Sequence, residues 1–145
     1  MSTTAYRVTA AVTFAGMLAG LLASILLGGC DHMLQCETGE IPMKCHWTYV
    51  ATTAIFAAGL LVAAMQFALK TKEGRRVAAF STALLALCAT FLTTPWGIGL
   101  CAMEQMACHT TALFVDAVTT VVVVTALIQC IKASPALASK PKLDD

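Results

Sequence analysis

The chain has 145 residues, of which 59% are hydrophobic and 12% charged, with a formal net charge of +1. Soluble domains average roughly 45–50% apolar and about 25% charged residues, so this balance excludes a disordered chain and leaves too few charges to cover a water-soluble globule. A net charge near zero leaves no footprint for nucleic acid, whereas seven cysteines in so short a chain raise disulfide, redox and metal chemistry.

Four apolar runs account for the composition, at residues 8–29, 47–69, 77–100 and 110–131. Each has about the 20 residues that an α-helix needs to cross a hydrocarbon core of roughly 30 Å. None alternates strictly, and Ala, Leu and Gly dominate, which favours helices over barrel strands. The expectation is an all-α integral membrane bundle of four helices in contact with the lipid bilayer. A basic turn, Lys70-Thr71-Lys72-Glu73-Gly74-Arg75-Arg76, joins the second run to the third. Arg7, Lys70, Lys72, Arg75, Arg76, Lys132, Lys140 and Lys142 fall on one side of such a bundle, and Lys44 alone falls on the other. The positive-inside rule then places both termini in the cytoplasm of a bacterial inner membrane, with loops 30–46 and 101–109 outside. Residues 133–145, with Pro135 and Pro141, read as a flexible cytoplasmic tail.

A competing reading takes Arg7, the first apolar run and Leu27-Gly28-Gly29-Cys30 as a lipoprotein signal with Cys30 acylated. The run is longer than a typical signal core, and Gly28 is unusual two residues before such a cysteine, so four spans are the preferred reading.

The most specific signal is internal. Met43-Lys44-Cys45-His46-Trp47-Thr48 opens the second run and Met106-Ala107-Cys108-His109-Thr110-Thr111 the fourth; both read Met-x-Cys-His-x-Thr, 63 residues apart. A second cysteine precedes each, Cys36 before Cys45 and Cys101 before Cys108. The pattern predicts two tandem helix–outer loop–helix repeats, 8–69 and 77–131, related by an axis along the membrane normal.

The same two loops hold twelve of the seventeen Cys, His and Met residues, including all three histidines. Three chemistries fit. Cys36, Cys45, Cys101 and Cys108 can form disulfides, either within repeats or between them, because thiols outside a bacterial inner membrane tend to oxidise. Met43, Cys45, His46, Met106, Cys108 and His109 can instead bind copper(I) or another soft transition metal, since each Met and His of a motif are three apart and can share a helix face. A thiol–disulfide relay is the third. Four helices with two outward cysteine pairs is the architecture of the quinone-linked disulfide-forming proteins, but the reactive Cys-x-x-Cys is missing here. No Cys-x-x-Cys-His for covalent haem is present either.

Inside the runs, Asp116 is the single charge. It follows His109 by two helical turns on nearly one face, and a mid-membrane carboxyl is costly unless paired, protonated or facing a cavity. It is either a functional group, such as a proton site or a partner to the outer cluster, or a packing residue served by Thr52, Thr53, Thr90, Thr93 or Thr119. In the repeat register it aligns with Thr53. Gln66 and Gln129 read as interhelical hydrogen-bonding or interfacial residues, Cys88 and Cys130 as small buried fillers, and Gly16 and Gly20 as a point of close helix approach. Thr94-Pro95-Trp96-Gly97 kinks or ends the third span, with Trp96 and Trp47 at the outer interface.

Taken together, Cys36-Glu37, Met43-Lys44-Cys45-His46-Trp47-Thr48, the basic turn and Cys101…Met106-Ala107-Cys108-His109 resemble the small bacterial membrane proteins of the domain-of-unknown-function four-four-one-eight family. The resemblance covers nearly the whole chain, and the two Met-x-Cys-His motifs carry it. It implies functional weight for Cys36, Cys45, His46, Cys101, Cys108 and His109, with Cys30, His32 and Met33 outside the motif. It also implies an accessory role beside a membrane transporter, without an established activity. The expectation is a non-enzymatic membrane component whose outward Cys/His/Met cluster is disulfide-stabilised or metal-loaded. The alternatives are a membrane thiol oxidoreductase and a purely structural partner-binding bundle. A pore through four helices would require a homo-oligomer.

Overall fold

The computed structural model of the chain describes residues 3–27, 33–36, 39–100 and 107–132. Four helices dominate them: α1 Thr3–Leu26, α2 Lys44–Ala68, α3 Lys72–Thr93 and α4 Ala107–Lys132. Each has at least 22 residues, and at about 1.5 Å rise per residue each exceeds the roughly 30 Å hydrocarbon core. All four are apolar enough to cross a membrane, so the chain is a multi-pass membrane protein in contact with lipid.

Local chemistry sets the helix ends. Thr71 caps α3 by accepting the Gly74 N–H at 3.2 Å, and the Arg75 Nε–H donates to the Leu69 carbonyl at 2.7 Å, tying the short α2–α3 connection. Helix α3 stops at Thr93 rather than continuing to 100 as the apolar run suggested. Pro95 supplies no N–H and drives Thr94 to an extended φ −76 ψ 159. The chain then folds back through bonds from Gly97 N–H to the Thr94 carbonyl and from Gly99 N–H to the Leu92 carbonyl. Gly99 takes φ 83, which a side chain would resist. At the other connection, the expected plain loop contains an antiparallel hairpin, β1 Met33–Cys36 and β2 Gly39–Pro42, with Met33 opposite Pro42 and Cys36 opposite Gly39.

The helices form a ring in which each packs on its sequence neighbours and α4 closes back on α1. Side-chain interactions also tie the diagonal pairs at the two ends. At the basic end, which carries Arg75 and Arg76, the Arg75 guanidinium lies 4.5 Å over the Tyr6 ring, joining α3 to α1. At the opposite, cysteine end, the Tyr49 hydroxyl of α2 donates to the Cys108 carbonyl of α4. Between them the core is Met17, Phe56, Ala63, Ala86, Ala89, Val115 and Val122. Gly16 faces Val122 of α4, and Gly20 lies against the Phe56 ring of α2. The Gly-x-x-x-Gly spacing therefore works inside the bundle, where a Cβ at either position would collide.

Size and polarity are sorted as in a lipid-solvated protein. Buried positions are largely Ala, Gly and Thr, while Leu61, Val77, Phe80, Phe91, Leu113 and Ile131 face outward, each more than half exposed. Cys88 is exposed and Cys130 half-buried, which corrects the expectation that both are buried fillers: their helix positions fall outside the inward stripe. Trp47 and Trp96 are both exposed at the cysteine end.

Burial also follows two registers. The buried set of α2 is Cys45, Thr48, Tyr49, Thr52, Phe56, Gly59, Ala63 and Gln66. The residues 63 positions later, Cys108, Thr111, Ala112, Val115, Thr119, Val122, Ala126 and Gln129, are the buried set of α4. Between α1 and α3 the spacing is 69: Ala10, Thr13, Met17, Gly20 and Ser24 correspond to Ala79, Thr82, Ala86, Ala89 and Thr93, every one buried. Only Ala23 of the buried α1 residues lacks a buried counterpart, Leu92 being intermediate.

The counterparts are not equally satisfied. Gln66 donates to Thr82 Oγ1 across the α2–α3 seam at 3.2 Å. Its counterpart Gln129 has no partner for either amide atom, because Thr13, the counterpart of Thr82, is bonded to Thr125 at 3.2 Å. Replacing Gln66 by Leu is expected to destabilise the protein by about 1 kcal/mol, and replacing Gln129 by Leu to be neutral or stabilising. Unfolding of the two variants in detergent checks the asymmetry; equal losses would contradict it.

Candidate functional site

The two Met-x-Cys-His motifs start α2 and α4 at the cysteine end, Cys45 and Cys108 each being the second helical residue. Both cysteines are fully buried, in one cluster with Tyr49, which is 3% exposed; Met43 and Leu100 pack against it. Helix geometry explains the inward aim. Cys45 and Tyr49 are four apart and share a face, and the Tyr49 hydroxyl reaches the Cys108 carbonyl at 2.5 Å. One residue earlier, Thr48 donates to the Gly99 carbonyl at 2.7 Å. That bond fixes the turn after α3 and brings Leu100 to the cluster. The site thus stands on α2, α4 and the bend forced by Pro95.

The histidines are placed differently. Successive helical residues point about 100° apart, so the Cys and His of a motif cannot share a direction. His46 is exposed and stacks edge-on against Trp47, with ring centroids 5.6 Å apart and planes at 86°. It lines a shallow groove of about 260 Å³ with Ser24, Tyr49, Val50 and Thr53. His109 is half-buried near the start of α4. Of the six residues proposed as soft ligands, the structure therefore groups Cys45, Cys108 and Met43 and sets His46 apart. Among the described residues, no three His, Cys, Asp or Glu side chains gather into a metal-binding group.

Of the other expected site residues, Cys36 ends β1 opposite Gly39 at the turn end of the hairpin. Cys101 and Met106 lie outside the described residues, as does Cys30 of the lipoprotein reading. The in-repeat bridges Cys36–Cys45 and Cys101–Cys108 thus each involve a side chain outside the described set. The bridge between Cys45 and Cys108 is not formed, and Cys108 is a free cysteine. Asp116 lies within α4, two turns beyond Cys108, with Oδ1 buried and the Thr90 side chain of α3 beside its carboxyl.

Tyr49 and Leu100 were not singled out from the sequence, and Thr48 entered only as the last letter of the motif. The signal for Tyr49 was its position one turn after Cys45, on the inward face. It covers the cluster from the α2 side, so Tyr49→Ala should speed alkylation of Cys108 by a water-soluble maleimide roughly tenfold or more over the slow rate of the intact protein. Mass mapping of the labelled cysteines checks it, and an unchanged rate would contradict the covering role.

The sequence profile of the family described as Domain of unknown function (DUF4418) matches residues 12–132, from early in α1 to the end of α4. No curated protein and no solved structure matches the chain significantly. With the match spanning all four helices and both motifs, the chain belongs to the DUF4418 family.

Proposed function

We propose that this protein is a small bacterial inner-membrane component, built from two tandem helix-hairpin repeats, whose cysteine end faces outward and holds a copper(I)-type soft cation between the two repeats. The observation that carries the reading is the burial of Cys45 and Cys108 in one cluster, with Met43 packed against it. Thiolate and thioether sulfur suit a soft monovalent ion better than a hard one. Both cysteines also lie in the first turn of a helix, where backbone N–H groups have no partner within the helix. In α2 no side chain caps that end. The matching burial registers of α2 with α4, and of α1 with α3, support the repeat. The gathering of Arg7, Lys70, Lys72, Arg75 and Arg76 at the other end supports cytoplasmic termini.

A bridging ion at this place tethers the two repeats at their outward end, a role suited to an accessory subunit that carries or senses the metal beside a transporter. The thiol-relay reading draws less support. Exchange requires a thiolate that reaches its partner, and Cys45 and Cys108 are both fully buried.

Copper(I) competition decides the proposal. Protein purified under argon in detergent is titrated with copper(I) against a chromogenic chelator. One copper(I) per chain is expected, lost in Cys45→Ser and in Cys108→Ser and retained in His46→Ala. No retained copper in the native chain, or retention unaffected by either cysteine substitution, would overturn it.

A further inference from the structure

Asp116 is the one charged residue in the middle of a described span, and its setting differs between the two registers. Its Oδ1 is buried without a hydrogen-bond partner, and so are the hydroxyl oxygens of Thr90 on α3 and Thr119 on α4. Thr90 stands beside the Asp116 carboxyl, placed to hydrogen-bond it across the seam at a length or direction outside the ordinary range. Thr119 is three residues on from Asp116, so their Cβ atoms are roughly 5–6 Å apart on one side of α4, and it is only 3% exposed. A carboxylate oxygen and two hydroxyl oxygens are thus buried in the α3–α4 seam, with Thr90 as the side chain beside the carboxyl and no partner for the Thr119 hydroxyl.

The α1–α2 seam is an internal control. The counterparts of Thr90, Asp116 and Thr119 in the two registers are Leu21, Thr53 and Phe56. Leu21 packs against the apolar core and Phe56 belongs to it. Where one half of the bundle has leucine, threonine and phenylalanine, the other has three oxygen-bearing side chains. Packing alone does not require that exchange, because two of the three places are filled there by hydrocarbon and none by a charged group.

We propose that Thr90, Asp116 and Thr119 form a membrane-embedded binding site for a hard monovalent cation such as sodium. Oxygen-only donors select a hard ion rather than the soft ion that sulfur prefers. Charge balance selects the valence: one carboxylate in low dielectric neutralises one positive charge, and a divalent ion would leave a net charge buried in hydrocarbon. The site is separate from the sulfur cluster, and its occupancy does not depend on whether that cluster holds a metal.

The test uses the full chain in detergent micelles, with its thermal unfolding midpoint followed as sodium chloride replaces choline chloride at constant pH and ionic strength. A ligand that binds only the folded state raises the midpoint with the logarithm of its concentration once the site is saturated. The native chain should show that rise, and Asp116→Asn and Thr119→Val should lose it. Thr53→Val, altered at the counterpart position, should keep it. If Asp116→Asn does not fold, Thr90→Val and Thr119→Val carry the comparison, since both keep the carboxyl. A midpoint indifferent to sodium, or a sodium response that survives in the Thr119→Val and Asp116→Asn chains, would overturn the proposal. A midpoint that moves with pH but not with sodium would also overturn it, because the carboxyl would then hold a proton alone.

Discussion

Everything in this molecule follows from solvation by hydrocarbon rather than water. Lipid tails are as apolar as leucine, so burying leucine brings helices together no better than leaving it outside. What holds the bundle is close backbone approach at small residues and the hydrogen bonds that polar side chains make to one another and to backbone carbonyls across the seams. Hence the interior is Ala, Gly and Thr, Gly20 admits the Phe56 ring, and the large aliphatic side chains face outward. The same condition makes every buried polar atom informative. Most inward threonines turn their hydroxyls back to a carbonyl of their own helix, as Thr82 does to Ala78 and Thr111 to Ala107. Those without such a bond, Thr52, Thr90 and Thr119, lie with Asp116, Gln66 and Gln129 where the interior keeps unspent polarity.

The ring of four helices is closed along its diagonals at both ends by different chemistry. A cation over an aromatic ring joins α3 to α1 at the basic end, and a tyrosine hydroxyl on a carbonyl joins α2 to α4 at the cysteine end. In each case the joined side chains lie where the two halves of the chain face each other. Cys45 and Cys108 meet there because they occupy the same place in the α2–α4 register. A single inward cysteine near the start of each of two like helices is enough to bury two thiols in one cluster. Asp116 is the opposite case, a departure from the register in one half only.

Much of this was legible in the sequence. Four spans, the basic connection and the two Met-x-Cys-His motifs are properties of composition and spacing, and the helices reproduce them. The end of α3 was less legible, because Ile98 and Leu100 read as span while the geometry imposed by Pro95 acts on backbone. The correspondence of α1 with α3 was hidden although its letters are visible, Arg7-Val8-x-Ala10-x-x-Thr13 against Arg76-Val77-x-Ala79-x-x-Thr82. Unequal cysteine-end connections give it a different spacing from the motif pair. The motif itself suggested that cysteine and histidine act together; the turn of a helix separates them, and only the pitch, not the letters, says so. Cys88 was read as buried because it is small and mid-span, yet burial here depends on helix face rather than on depth.

The central claim is that sulfur from both halves of the chain, and not imidazole, makes the chemically distinctive centre of the cysteine end. X-ray absorption at the copper K-edge of protein loaded with one copper(I) reports the first coordination shell directly. The account predicts a shell of sulfur alone, without the outer-shell scattering of imidazole rings. A shell containing nitrogen with that imidazole signature would place His46 or His109 on the ion and contradict the arrangement of Cys45, Cys108 and Met43 described above.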